Sequence, residues 1–175
     1  DNRSHEKGLL GVVADIIKVE KKYETAIETA LGGSIQNIVT DNEQTAKRMI
    51  EFLKKNKFGR ATFLPLTQIR SHGGIAQPQA LKEEGVIGLA DTLVMVEDKY
   101  LELAGSLLGR TLVVDHIDHG LAIARKYRQS IRIVTLEGDL INPGGSMTGG
   151  AFKNSSNILS RRREIEELEQ AVQKL

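Results

Sequence analysis

Gly8-Leu9-Leu10-Gly11 returns 77 residues later as Gly85-Val86-Ile87-Gly88, and the reading of this pair decides the fold. The echo continues at the same offset. Val19-Glu20, Lys22-Tyr23 and Leu31-Gly32 recur as Val96-Glu97, Lys99-Tyr100 and Leu108-Gly109, eight identities without a gap over residues 8–32 and 85–109. Chance alone gives roughly one or two. Ile38-Val39-Thr40-Asp41 then resembles Leu112-Val113-Val114-Asp115 after a small shift. The chain therefore reads as two related α/β halves of about 75 residues packed side by side. Two copies at this length do not make a solenoid.

Each half predicts the same succession. Tyr23, Ile27, Ala30 and Leu31 form a helical stripe within residues 20–31, closed by Gly32-Gly33. A short strand is expected over residues 35–40. Asp41 or Asn42 then caps a helix reaching about Lys57, with Ala46, Met49, Ile50 and Leu53 on its inner face. A strand over residues 60–66 stops near Pro65. The counterparts in the second half are a helix at 98–108, a strand at 111–115, a helix at 118–128 and a strand at 131–136. Residues 67–84, with Gly73-Gly74 and Pro78, read as a loop between the halves.

After Leu136 the pattern changes. The run Asp139-Leu140-Ile141-Asn142-Pro143-Gly144-Gly145-Ser146-Met147-Thr148-Gly149-Gly150 is too glycine-rich for a helix. It reads as a hairpin whose missing side chains let another backbone come close. Beyond it Ile158, Ile165 and Val172 are seven apart, with Leu168 and Leu175 at the intervening heptad position and Arg161 interrupting it. Glutamates 164, 166, 167 and 169 and Lys174 fill the outer face. This is a coiled-coil seam without a partner in the chain, as expected of a piece of a longer coil.

Composition narrows the function. The chain has 175 residues, 40% hydrophobic and 27% charged, as in an ordinary globular protein. No run approaches the ~18 apolar residues of a membrane helix, and the first seven residues lack a signal-peptide core. With no cysteine, disulfides, thiolate zinc sites and thiol nucleophiles are excluded, which fits a reducing cytosol. Lys plus Arg is 24 against 23 for Asp plus Glu, so any nucleic-acid contact has to come from a local cluster. Only 4% of residues are aromatic and none is Trp, which argues against base-stacking platforms.

The candidate chemistry is sparse. The run 143–150 has no lysine and so cannot be a Walker A loop, and no Gly-x-Gly-x-x-Gly opens a helix after a strand. Ser146 lacks the second glycine of a hydrolase elbow. Asp115-His116-Ile117-Asp118-His119 holds the densest metal-ligand types but reads as a strand end and helix cap, with no metal site assigned. His5 and His72 read as solvated. Lys21-Lys22 and the group Lys54, Lys55, Lys57 and Arg60 read as solvated helix faces. Lys153 with Arg161-Arg162-Arg163, at the root of the coil, is the candidate phosphate-binding cluster.

These residues bring a family into view. Gly138, six residues, Gly145, three residues, Gly149-Gly150 resembles the glycine signature of the hinge domain of SMC (structural maintenance of chromosomes) proteins. Gly8-Leu9-Leu10-Gly11 at the entry, the internal repeat and the heptads leaving at Ile158 are similar to that family in the same order. The resemblance covers residues 8–157. It implies a mixed α/β hinge of two similar subdomains followed by a coiled-coil helix. The division expected is residues 1–7 as incoming arm or linker, 8–84 as the first subdomain with its connecting loop, 85–157 as the second, and 158–175 as the outgoing arm.

The resemblance further implies a dimer, the second half of one chain meeting the first half of the other; bacterial and archaeal members pair with themselves and eukaryotic ones with a different chain, and the compact sequence without long inserts favours the homodimer. Gly138, Gly144, Gly145, Ser146, Gly149 and Gly150 are the expected interface, and Lys153, Arg161, Arg162 and Arg163 the expected site of weak, sequence-independent DNA contact. It implies no catalytic residue and no cofactor in this segment, ATP and magnesium belonging to a distant head domain. It also implies kleisin-type accessory subunits for the longer protein, no membrane partner, and a cytoplasmic, nucleoid-associated place. The rival reading is a small α/β enzyme or effector-binding domain with a pocket at the Gly-rich segment. A stand-alone DNA-binding domain is disfavoured by the balanced charge.

Overall fold

The computed structural model describes residues 7–151 and 158–174. The first half contains β1 (Leu9–Val12), α1 (Val13–Ile16), β2 (Lys18–Val19), α2 (Glu24–Leu31), β3 (Ile38–Thr40), α3 (Glu43–Lys55) and β4 (Phe63–Pro65). The second contains β5 (Val86–Leu89), β6 (Val94–Met95), α4 (Leu101–Leu108), β7 (Thr111–Val114), α5 (Ile117–Lys126), β8 (Arg132–Thr135), β9 (Leu140–Ile141) and β10 (Met147–Thr148), followed by α6 (Ile158–Gln173).

The duplication is visible element by element. α2 and α4 start and end 77 residues apart, each preceded by a three-residue 3-10 turn, Lys21–Tyr23 and Asp98–Tyr100. β1 runs antiparallel to β3 with a bulge between Leu9 and Gly11, and β5 runs antiparallel to β7 with a bulge between Val86 and Gly88. The halves join through β2 and β6, where Lys18 faces Met95. These two residues are 77 apart, so the pseudo-twofold axis passes through that pair.

Local chemistry explains most boundaries. Asn42 caps α3, its side-chain oxygen accepting from the Thr45 amide at 3.0 Å. α2 ends at Gly32, as the glycine pair predicts. Residue 35 departs from expectation: Ile35 belongs to a 3-10 turn, Gly32–Gln36, and the strand begins only at Ile38. The first half carries three more residues here than the second, since the offset drops from 77 to 74, and that turn accommodates them with Ile35 buried. The loop 67–84 also contains a 3-10 turn, Pro78–Lys82.

The first sheet has the order β1-β3-β4 and the second the order β10-β9-β8-β7-β5, with β3–β4 and β7–β8 parallel across their helical crossovers. One core lies between the halves, where Val13, Ile17, Ile27, Leu103, Leu108, Val113 and Val134 pack together. A second core, with Leu112, Val114, Ile123, Ala124, Ile133 and Ile141, lies under α5. Under α3 only Thr45 and Ala46 are buried. Ile50, expected on its inner face, is 41% exposed. The sheet beneath it is three strands wide and lacks the two strands that flank α5.

Candidate functional site

The glycine run folds as a hairpin on the outer side of the second sheet. Its first turn is fixed by Thr135, fully buried, whose hydroxyl donates to Asp139 Oδ2 at 3.1 Å and accepts from the Asp139 amide at 3.0 Å. Gly138 is buried within this turn, and its carbonyl accepts from Thr29 Oγ1 of α2 at 3.3 Å. The second turn spans Asn142 to Ser146. Asn142 N donates to Ser146 O and Gly145 N to Asn142 O, both at 2.9 Å. Gly144 N donates to Gln129 O at 2.8 Å. Gly144 and Gly145 adopt φ of +92° and +105°, which only glycine takes without strain.

β10 pairs with β9 through Met147↔Ile141 and Thr148↔Leu140, and its other side is a free sheet edge. Both strand residues are exposed, Met147 at 48%. A Cβ built on Gly144 or Gly150 would meet nothing within 4 Å, and one on Gly145 only the end of Gln129 at 4.0 Å. A Cβ on Gly149 would come 2.6 Å from Asp139 Oδ1 and would displace that carboxylate. Of the expected interface residues, Gly138 is buried and tied to α2, whereas Gly144, Gly145 and Gly150 leave open backbone, and Ser146 and Gly149 are exposed.

In the first sheet β4 is a terminal strand, β1 being the other. Phe58, in the segment that leads to β4, is 60% exposed and stands near Phe52, ring centroids 5.9 Å apart. A groove of about 340 Å³ next to β10 is lined by Thr29, Gly138, Leu140, Thr148, Gly149, Gly150 and Ala151. Its only polar side chains are two threonine hydroxyls, with no titratable group among the described residues. It offers no acid–base pair of the sort the enzyme reading needs.

The coil junction is built by the first half. Leu159 is the buried anchor of α6, at 3% exposure, while Ile165, Leu168 and Val172 of the heptad seam are all more than half exposed. Glu28 of α2 accepts the Ile158 amide at 2.6 Å and so caps α6 from another element. Burial, reinforced by the neighbouring Glu24 charge, holds the Glu28 carboxyl above its ordinary range against the pull of that hydrogen bond. Arg163 donates to the buried Glu24 at 2.9 Å and pairs with Glu167 at 2.9 Å, which raises its pKa. Arg162 pairs with Asp15 at 2.8 Å, and Lys18 pairs with Glu166.

The basic cluster read from the sequence is therefore divided as well. Arg163 is turned inward and held, and Arg162 is engaged at the surface. Arg161 is exposed and makes no ion pair among the described residues. Lys153 lies outside the described residues. Sequence alone did not reveal the docking of α6 on the first half, although its signal was present. Asp15, Lys18, Glu24 and Glu28 of the first half stand where the second has Thr92, Met95, Leu101 and Gly105.

The cluster at the start of α5 is close-knit. Asp115 accepts from the His116 amide at 2.7 Å and faces His119 Nδ1 at 2.7 Å. That contact raises the His119 pKa and lowers that of Asp115. His116, at the cap position, makes no side-chain cap bond.

Known proteins resemble this chain along most of its length. The family model of the SMC proteins flexible hinge domain matches residues 6–124. The chain is 46% identical to the chromosome partition protein Smc of Desulfitobacterium hafniense over 93% of its own length and 14% of that protein. Against the Bacillus subtilis protein of the same name it is 45% identical over 92% of its length and 14% of the relative. Among solved structures, an asymmetric dimer of the Geobacillus stearothermophilus SMC hinge domain superposes with a TM-score of 0.88 at 39% identity, covering 99% of this chain and 70% of that one. The Pyrococcus furiosus SMC hinge domain gives 0.68 at 31% identity, covering 89% and 83%. The chain spans about one-seventh of the length of the full-length relatives it matches.

Proposed function

The chain belongs to the SMC hinge domain family, and from that premise we propose that it is the homodimerisation hinge of a chromosome-organising SMC ATPase. The observation that carries the reading is the pair of unlike open edges. The first sheet stops at β4, where the second sheet continues for two more strands, and the second sheet ends at β10 with bare glycine backbone beside it. An unpaired edge is a template for another strand. A twofold axis brings β10 of one copy to β4 of the next and closes both contacts at once, so the assembly stops at two. The Geobacillus stearothermophilus hinge, described as an asymmetric dimer, supports dimerisation as such.

In the longer protein the hinge would join two coiled-coil arms, α6 being the start of the outgoing one. ATP and magnesium would act at a distant head and kleisin-type subunits would bind elsewhere, the whole working on the chromosome in a cytoplasmic, nucleoid-associated setting. The test is the solution mass of this chain. We expect about 38 kDa, twice the 19.2 kDa protomer. A wild-type chain that stays at the protomer mass overturns the proposal.

We also propose weak, sequence-independent DNA contact at the coil junction, carried by Arg161 with Lys153. Arg162 and Arg163 are secondary because Asp15 and Glu24 already hold them. In a salt titration Arg161→Glu is expected to flatten the log-affinity slope by roughly 0.7 to 0.9 for each phosphate that is no longer neutralised. Unchanged affinity and slope would remove Arg161 from the site.

A further inference from the structure

The two halves build the same turn at the carboxyl ends of β3 and β7, but only one of them places imidazoles there. In the first half Asp41 accepts from the Asn42 amide at 2.7 Å and from the Thr45 hydroxyl at 2.6 Å. In the second half Asp115 makes the matching bond to the His116 amide and meets His119 where Thr45 stood. The aspartate amides donate to Gly8 O and Gly85 O, each at 2.9 Å. A threonine is therefore enough to hold the turn, and the two histidines are surplus to the fold.

The surplus is organised. One ligand atom from each of Asp115, His116 and His119 lies within 4.8 Å of the others. The two imidazole centroids are 4.3 Å apart. Glu84, from the segment before β5, brings a carboxylate oxygen to 3.5 Å from His119 Nε2. The group stands at the carboxyl end of the parallel pair β7–β8, the side on which α/β sheets bind ligands. It is open enough for an ion to enter, with the His119 side chain 27% exposed and that of Asp115 40%.

We propose that Asp115, His116 and His119 bind one divalent transition-metal ion of the zinc class on the Nδ1 side of His119, with Glu84 accepting from Nε2 on the far side of that ring and so orienting it. Two imidazoles with a carboxylate oxygen suit zinc, nickel or copper, whereas magnesium and calcium take oxygen ligands. A tetrahedral ion with bonds of about 2.0–2.1 Å sets its ligands roughly 3.3 Å apart, which these partly exposed side chains reach by rotation. The positive end of α5 opposes a cation, and the charges of Asp115, Glu84 and Asp118 in the first turn offset it.

The experiment is calorimetric titration of the untagged chain with zinc chloride, with the absorption bands of bound cobalt(II) as a second readout of coordination. His119→Thr imports the residue that holds the same turn in the first half, so the variant keeps its fold, and exposed His116→Ala tests the other imidazole. His72→Ala is the control. We expect one ion per chain in wild type and control, and an affinity loss of about tenfold or more in each of the two test variants. No saturation by roughly 1 mM zinc, or a loss of less than tenfold in either test variant, overturns the site.

Discussion

Through the 74-residue offset between β3 and β7 and the register of the strands beside them, the two halves can be compared position by position, and they differ in burial far more than in backbone. Ile133, Val134 and Thr135 of β8 are fully buried, whereas Phe63, Leu64 and Pro65, at the same places in the parallel pair with β3, are each half-buried. Ile123 and Ala124 of α5 are buried, while their counterparts Met49 and Ile50 are half-buried and 41% exposed. The second half has covers on both flanks. β9 and β10 extend its sheet, and residues 71–84 lie on its other side, with Ala80 in the core and Glu83 bound to Lys126 and Tyr127, each at 2.8 Å. The first half has neither cover among the described residues. A duplicated unit has thus become one finished layer and one unfinished layer, and the unfinished one carries the open edge that the proposed partner strand would fill.

The largest expected effect tests that contrast directly. Ile133→Ala removes a fully buried side chain and is expected to lower stability by about 3 kcal/mol at any protein concentration. Phe63→Ala, at the equivalent place, is expected to cost about 1 kcal/mol in the separate protomer, because solvent already reaches the ring. Its cost should grow with protein concentration, as dimerisation buries the edge. Denaturant titrations at two concentrations check both. Equal, concentration-independent losses would break the comparison and make the two edges alike.

A second difference concerns the exit helix. α6 is held by Asp15, Lys18, Glu24 and Glu28, and none of these has a charged counterpart in the second half. The coil can leave from one half only. Arg163→Ala strands the buried Glu24 and is expected to cost about 2 kcal/mol, below the usual value for a buried pair because Arg163 keeps 21% of its surface. Arg162→Ala breaks an exposed pair and should cost under about 0.5 kcal/mol. Thermal unfolding of the two variants separates them. Equal shifts would mean that Glu24 is no anchor.

Much of this architecture was legible in the sequence because its causes are local. The offset of 77 placed the ends of α2 and α4 at Leu31 and Leu108, although both helices start three or four residues later than expected, after a 3-10 turn; Asp41-Asn42 announced the next helix, and the glycine run announced a hairpin. What escaped depends on distant residues. Ile50 has the spacing of a core residue yet is exposed, since the three-stranded sheet under α3 is too narrow to cover it among the described residues. Leu159 lies off the heptad seam and is nevertheless the buried anchor of α6, because α6 first meets the hinge body and only later follows its coil. Three consecutive arginines looked like a phosphate site, and their division into held and open members rests on carboxylates some 140 residues earlier. Of the glycine signature, composition could not tell which members face outward. That follows from Thr29 of α2 lying against Gly138.

The smallest effect sharpens the same contrast through pH. Glu28 caps α6 in the first half, and Gly105 at the equivalent place offers no carboxylate. Burial and the Glu24 charge raise the native pKa of Glu28, so the folded chain holds this proton more tightly than the unfolded one. Its contribution to stability is therefore fully present below the unfolded carboxylate value and is lost as pH rises through the raised native value. Once ionised, the group supports the fold less than its protonated form does. Glu28→Gln keeps an oxygen acceptor for the Ile158 amide and removes that charge. The variant and wild type should unfold together in acid and separate as pH rises, the variant becoming slightly the more stable. Melting temperatures across that range give the answer. A wild type that is the more stable at neutral pH would mean that the pull of the α6 amides on a full negative charge outweighs burial, and that the first half uses Glu28 as an electrostatic clasp on the coil.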